Sequence, residues 1–416
     1  MELGDEQLGG VNVDIGVQEI LLAASQHDIS RLRELIRSFD KAENPANVKD
    51  PETGYSPLHA AIAACEPDSE ESGETRKANG LGNDASALPE EGPSNILEPG
   101  SEMVRFLLQE GAIWNDLDAN NETPGCIAKR LGLDELYQLM VDAGVRAEML
   151  LNRLDEYELL QDSDEEDTSP ADVTPEQQTG EHIAPSEAGN AASAQGPDVT
   201  GSRYLQSNLA FNDGRLLDQD QNGVMMSWES EIMERSAKAI LPESGLRVLN
   251  IGHGMGIIDN IIQTLQPSVH HIVEAHPAVV EEMKRKGWHE KPGVVIHQGK
   301  WQEIVPELIN EGQTFDALYY DTFAESYSDF RAFFSEQIIG LLDINGKWSY
   351  FNGMGADRQI SYDVYQKVVE MDLLEAGFDV DWEEISVPSL EGEWEGVRRK
   401  YWVIDSYRLP VCRYLD

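Results

Sequence analysis

Residues 247–256 read Arg247-Val248-Leu249-Asn250-Ile251-Gly252-His253-Gly254-Met255-Gly256. A short apolar run that ends in glycines is predicted to be a buried strand leading into a tight turn. The glycines let backbone approach a ligand with no Cβ in the way. From Ile257 to Leu265 the apolar residues fall at helical spacing, so the unit is strand, turn, helix, with the first helical N–H groups facing the turn. The turn is G-x-G-x-G. It misses the G-x-G-x-x-G spacing because Ile257 stands at the last position, and a dinucleotide site remains open as a rival reading.

Working outward, strands and helices alternate. Strands are predicted at His271–Glu274, Val294–His297, Phe315–Tyr320 and Trp348–Phe351. The helices between and after them span Ala278–Lys286, Trp301–Asn310, Phe330–Leu342 and Ser361–Ala376, and two closing strands follow at Val380–Val387 and Lys400–Tyr407. The fold class is therefore α/β, a doubly wound, mostly parallel sheet of seven strands. Glu274 ends the second strand 22 residues after Gly252, where a carboxylate can accept from both ribose hydroxyls of a ligand. Gln298-Gly299-Lys300-Trp301 follows the third strand. Trp301 is read either as an adenine-facing ring or as a core residue, and His253 as an exposed turn residue rather than a catalytic one.

The front of the chain differs in kind. Residues 17–40 read as two short helices, and a further helix is expected over Leu133–Val145. Gly54-Tyr55-Ser56-Pro57-Leu58-His59-Ala60-Ala61 resembles the T-P-L-H-x-A signature of ankyrin repeats. A second match at Asn121-Glu122-Thr123-Pro124 lies 67 residues on, about two repeat periods. His59 is expected to be structural. The expected divisions are an ankyrin-like domain over 1–150 with a disordered insertion at about 66–100, an acidic disordered linker over 151–200, and the α/β domain over 201–416. The linker assignment rests on thirteen Asp or Glu and no Lys or Arg between 155 and 200. The formal net charge of −46 excludes direct nucleic-acid binding and favours a basic partner. No run of 18 apolar residues predicts a membrane span, and the acidic N-terminus is not read as a signal peptide. Three scattered cysteines suit a reducing compartment. Cytoplasm, with access to the nucleus, is the expected location, and a monomer the expected state.

Two carboxylates flank the glycine turn in sequence. Glu229 closes Gly223-Val224-Met225-Met226-Ser227-Trp228-Glu229, and Asp321 follows the fourth strand in Tyr319-Tyr320-Asp321-Thr322-Phe323. The carboxyl ends of such strands face the ligand crevice. Either acid alone could instead cap a helix.

Taken together, V-M-x-x-W-E, V-L-x-I-G-x-G-M, E-A-H, G-x-W and Y-Y-D-T resemble guanidinoacetate methyltransferase. With the repeat-like front and the acidic linker, the chain more closely resembles the fungal protein-arginine N5-methyltransferases, the type IV arginine methyltransferases. The resemblance implies a class I methyltransferase fold and S-adenosylmethionine as methyl donor, with no metal. It implies an arginine-bearing basic protein as substrate, with ribosomal proteins as one class, and a repeat module that docks a protein. Glu229 and Asp321 are implied to grip the guanidinium and take its proton. The implied cofactor contacts are Tyr204, Met225, Gly252, His253, Gly254, Met255, Gly256, Ile257, Glu274, Ala275, His276, Gly299, Lys300, Trp301 and Asp321. The run Phe351-Asn352-Gly353-Met354-Gly355-Ala356-Asp357-Arg358 departs from the small-substrate enzyme where that enzyme encloses its ligand. The alternatives are a small-molecule guanidine methyltransferase and a non-catalytic adaptor.

Overall fold

In a computed structural model of the chain, residues 14–66, 94–163, 200–212 and 214–415 are described. The chain divides into two compact units, Met1–Ala147 and Glu148–Asp416.

The first unit is helical: α1 (Ile15–Ser25), α2 (Ile29–Ser38), α3 (Pro57–Ala63), α4 (Ser94–Gln109), α5 (Pro124–Arg130), and the start of α6 (Asp134–Ser163). Asp14 and Asp28 cap α1 and α2 by accepting the backbone N–H of Gly16 and Arg31. α3 and α5 open alike, on Ser56-Pro57 and Thr123-Pro124, with proline at a position whose missing N–H leaves no bond unmade. Ile20, Ala24, Leu58, Ile62, Leu107, Ile127 and Met140 are buried between the helices. His59 is fully buried. Its Nδ1 accepts from the Ser56 N–H at 3.2 Å and faces the Ser56 hydroxyl at 2.8 Å, and its Nε2 lies 3.1 Å from the Glu122 carbonyl. The ring thus joins the two similar turns.

The disordered-segment boundaries need correction. Residues 67–93 of the expected insertion lie outside the described residues, but 94–100 are the first turns of α4, which run on even through Pro99. Likewise 164–199 of the expected linker lie outside them, whereas 151–163 continue α6. Leu, Glu, Gln and Arg there are strong helix formers, and no Gly or Pro interrupts them.

The second unit carries α7 (Gly201–Leu205) and a small antiparallel sheet of β1 (Ala210–Asn212), β2 (Arg215–Leu217) and β3 (Gly223–Met226). After α8 (Ser230–Ile240) the alternation begins: β4 (Arg247–Ile251), α9 (Ile257–Thr264), β5 (Val269–Glu274), α10 (Pro277–Arg285), β6 (Val294–Gln298), α11 (Trp301–Asn310), β7 (Phe315–Tyr320). Next come α12 (Tyr327–Ala332), a π-turn at Phe333–Gln337, α13 (Ile338–Leu341), β8 (Leu342–Tyr350), α14 (Gln359–Glu375), β9 (Phe378–Ser386) and β10 (Ser406–Tyr414). The large sheet has the order β6-β5-β4-β7-β8-β10-β9. β4 to β8 pair in parallel, and β10 runs antiparallel to both its neighbours. This is the expected doubly wound, seven-stranded sheet. The three-stranded sheet was not expected.

The last strand was predicted too early. β10 pairs residue for residue with β9 from Ser406↔Ser386 to Tyr414↔Phe378. The residues before it are tied elsewhere: Arg399 bridges to Asn222, the Val403 N–H donates to the Ala356 carbonyl, and Trp402 is fully buried with its indole on the Ile404 carbonyl.

The chain winds outward from β4 in one direction through β5 and β6, and in the other through β7 and β8. The reversal falls between the carboxyl ends of β4 and β7, where an open parallel sheet forms its ligand crevice.

Candidate active site

At this switch point Gly252 follows β4 and Asp321 follows β7. The Asp321 N–H donates to the Ile251 carbonyl at 2.8 Å, so the two turns are laced together. Gly252 has φ +92°, and a Cβ there would lie 1.8 Å from the Asp321 carbonyl oxygen. Gly254 meets Met225 in the same way, with its missing Cβ 2.8 Å from the Met225 methyl carbon. A cavity of about 1290 Å³ opens over these turns.

Glu274 ends β5 under the glycine turn. One of its oxygens accepts the His253 N–H at 2.8 Å and the Gly254 N–H at 3.2 Å, and the other accepts the His276 N–H at 2.7 Å. A carboxylate offers about four lone-pair sites, so capacity remains on a group that lines the cavity.

Glu229 closes a short turn before α8 and is almost wholly buried. Both of its hydrogen bonds go to Oε1, one from the Met226 N–H at 3.0 Å and one from the Tyr401 hydroxyl. Burial and then the charge of Asp321 push its carboxyl well up from the usual range, and the two donors pull it part of the way back. Asp321 is pushed up as well, by burial first and then by the charges of Asp259 and Glu274. Its Oδ2 is buried with no hydrogen-bond partner. It caps no helix, since Ser326 caps α12. Glu229, buried, and Asp321, half-buried with its Oδ2 shut away from solvent, together suit a cationic ligand.

Of the residues singled out from sequence, Tyr204, Met225, Glu229, Gly252, Gly254, Glu274, Ala275, Gly299, Lys300, Trp301 and Asp321 line this one cavity. Five do not. His253 is buried, not exposed: its Nδ1 lies 2.6 Å from Asp259 Oδ2 and its ring sits edge-on to Trp288. Burial pushes Asp259 up, but the neighbouring imidazoles of His253 and His270 outweigh it and bring it down to about 2. Met255 and Ile257 pack against the core behind the turn, and Gly256 caps α9 with a left-handed backbone. His276 caps α10 and holds the Tyr204 carbonyl at 3.1 Å. Trp301 lines the cavity while most of its ring is buried: its indole N–H is shared by the two oxygens of Glu325, itself a lining residue, at 3.0 and 3.1 Å, and its ring sits edge-on to Phe333. Glu325 further accepts from the Tyr320 hydroxyl at 2.5 Å and the Thr322 hydroxyl at 2.7 Å. Sequence reasoning missed Tyr401, Glu325 and Phe323, which packs on Tyr204. A tyrosine 172 positions from its carboxylate leaves no local signal.

The sheet order, the glycine turn at its switch point and the acid at the end of the second parallel strand define a class I S-adenosylmethionine-dependent methyltransferase. The residues present fit that cofactor, since Glu274 keeps acceptor capacity at the cavity wall and Asp321 Oδ2 is buried without a partner. Residues 202–403 match the family model for guanidinoacetate N-methyltransferase. The chain is 65% identical to protein arginine N-methyltransferase 2 of Aspergillus fumigatus, over 98% of both chains. It is 64% identical to that of Emericella nidulans, again over 98% of both, and 45% identical to that of Neurospora crassa over 96% of both. The chain belongs to the protein arginine N-methyltransferase 2 family. It is an enzyme that methylates arginine in proteins from S-adenosylmethionine.

Proposed function

We propose that the enzyme monomethylates the internal (δ, N5) nitrogen of arginine in a basic protein, with ribosomal proteins as a candidate class. The observation that carries this reading is the pair of carboxylates, buried Glu229 and half-buried Asp321, in one cavity with a buried oxygen of Asp321 unpaired. A guanidinium is planar, keeps its proton to a pKa above about 12, and presents N–H donors on two edges. A protonated nitrogen is a poor nucleophile. Two carboxylates bind it by charge-assisted bonds, fix which nitrogen is presented, and give its proton an acceptor as its lone pair is used. The match to the guanidinoacetate enzyme supports N5, because there the nitrogen bearing the carbon chain is the one modified; its counterpart in arginine is the internal nitrogen.

Bound S-adenosylmethionine supplies an electrophilic methyl group. Glu274 would hold its ribose hydroxyls, and Gly252 and Gly254 would admit it to the turn. Tyr204, Met225, Ala275, Gly299, Lys300 and Trp301 would line it. The low-dielectric walls strengthen the carboxylate–guanidinium attraction by excluding water.

The helical unit is proposed to be an ankyrin-like array that docks the substrate protein, supported by the paired Ser-Pro and Thr-Pro helix starts and the His59 bridge between them. The proposed setting is the cytoplasm with access to the nucleus.

The test incubates the full chain with labelled S-adenosylmethionine and extract from a strain lacking the enzyme, beside a Glu229→Gln/Asp321→Asn control. A +14 Da mark on arginine, with fragments placing methyl on the internal nitrogen and absent from the control, is the expected result. Methyl on a terminal nitrogen, or only on a small guanidine, would overturn the reading.

A further inference from the structure

The segment 398–405, placed between β9 and β10, contributes one side chain to the carboxylate pair. Tyr401 is buried. Its ring stacks on Trp228, with centroids 6.1 Å apart and planes at 26°, and stands edge-on to Trp394 at 5.0 Å. Gly223 lies against the ring so closely that a Cβ there would be 3.0 Å from Tyr401 Cε1. This packing fixes the hydroxyl at Glu229, to which it donates. Because Met226 N–H and Tyr401 both bond Oε1, Oε2 is the oxygen of this cavity-lining acid that neither donor occupies.

We propose that Tyr401 is a positioning residue for methyl transfer: its hydroxyl holds Glu229 by Oε1, so that Oε2 meets the substrate guanidinium. The proposal rests on Glu229 being a guanidinium ligand, as read above.

The groups around Glu229 give the direction of the effect. Asp321 at the end of β7 raises it, while Met226 N–H on β3 and the Tyr401 hydroxyl lower it. Tyr319 on β7 and Tyr407 on β10 also feel its charge. Both, like Tyr401 itself, are pushed well above the usual phenol range by burial first, so all three stay protonated. Taking away the Tyr401 hydroxyl removes one of the two donors that favour the carboxylate and leaves every opposing group in place.

Tyr401→Phe keeps the ring, and with it the stack on Trp228. In the full chain, with labelled S-adenosylmethionine and basic-protein extract from a strain lacking the enzyme, methylarginine formation is expected to fall roughly 10- to 100-fold. The deficit is largest at low pH, because the acid limb of the rate profile moves upward. Cofactor binding stays as in the wild type. Infrared difference titration gives a readout apart from turnover: the carboxyl band missing from Glu229→Gln titrates at higher pH in Tyr401→Phe. Incorporating 3-fluorotyrosine at 401, a stronger donor of nearly equal size, moves that midpoint the other way and serves if the phenylalanine variant folds poorly. Rates within twofold of wild type at every pH, or a uniform deficit with an unmoved Glu229 band, overturn the proposal. An active Glu229→Gln overturns the reading of the site itself, and so the two failures are distinct.

Discussion

Gly252 has to be glycine for two independent reasons. Its φ of +92° is a backbone state that side-chain-bearing residues rarely adopt, and a Cβ would sit 1.8 Å from the Asp321 carbonyl oxygen. Gly252→Ala therefore forces β4 and β7 apart at their carboxyl ends. The expected cost is about 2 kcal/mol or more, read as a lower melting temperature, together with loss of S-adenosylmethionine binding by calorimetry. The two acids make an opposite prediction. Their folded-state values lie above the unfolded ones, so the folded state holds their protons more tightly. The resulting penalty is absent at low pH, where both are protonated folded and unfolded. It grows as pH rises from the unfolded carboxyl range, near 4, through the folded values. Glu229→Gln and Asp321→Asn are expected to be inactive and yet to melt above the wild type at pH 8 without ligand. They should lose that advantage near pH 4. Lower melting at pH 8 would show that the acids are compensated in the free enzyme.

At the scale of elements, legibility followed burial. β4, β5 and β7 are buried along nearly their whole length and carry mostly apolar or aromatic residues, so their positions could be seen in advance. Asp321 could be picked out because the sheet's topology assigns chemistry to strand ends, and Glu229 only through the V-M-x-x-W-E resemblance. β10 was misplaced because Lys400–Tyr407 and Ser406–Tyr414 both carry β-branched and aromatic strand formers, and only pairing with β9 selects the second. The side chains of His253 and Trp301 could not be aimed from sequence, since their partners, Asp259 and Glu325, declare themselves only once packed. His59 could be read, because a proline-led helix start with a histidine two residues on has a local use for the ring. His59→Ala removes the acceptor of the Ser56 N–H and leaves the Glu122 carbonyl without this partner. An expected loss of about 2 kcal/mol should appear as faster amide exchange in α3 and α5, with β4–β7 unchanged. Equal loosening of the sheet would mean that the helical unit and the sheet unfold together.

For the whole molecule the dominant quantity is charge. A net −46 over 416 residues sets up a field that gathers cations well before contact. Inside the cavity the carboxylates act at close range and are shielded from salt, whereas the field outside is screened within about 10 Å at 0.1 M and about 3 Å at 1 M. The two contributions therefore separate with ionic strength. For a basic protein substrate, kcat/KM is expected to fall steeply between about 0.05 and 0.5 M salt, because encounter is slowed. kcat at saturation should change little, since under the proposed function the guanidinium is by then held by Glu229 and Asp321. A short peptide whose only charge is its arginine should show a much shallower decline, and binding of S-adenosylmethionine almost none. Measured salt series on the two substrates decide the matter. A steep decline for the protein alone assigns the acidity to substrate capture, and matching shallow slopes assign it to keeping the chain in solution, with recognition left to shape at the cavity.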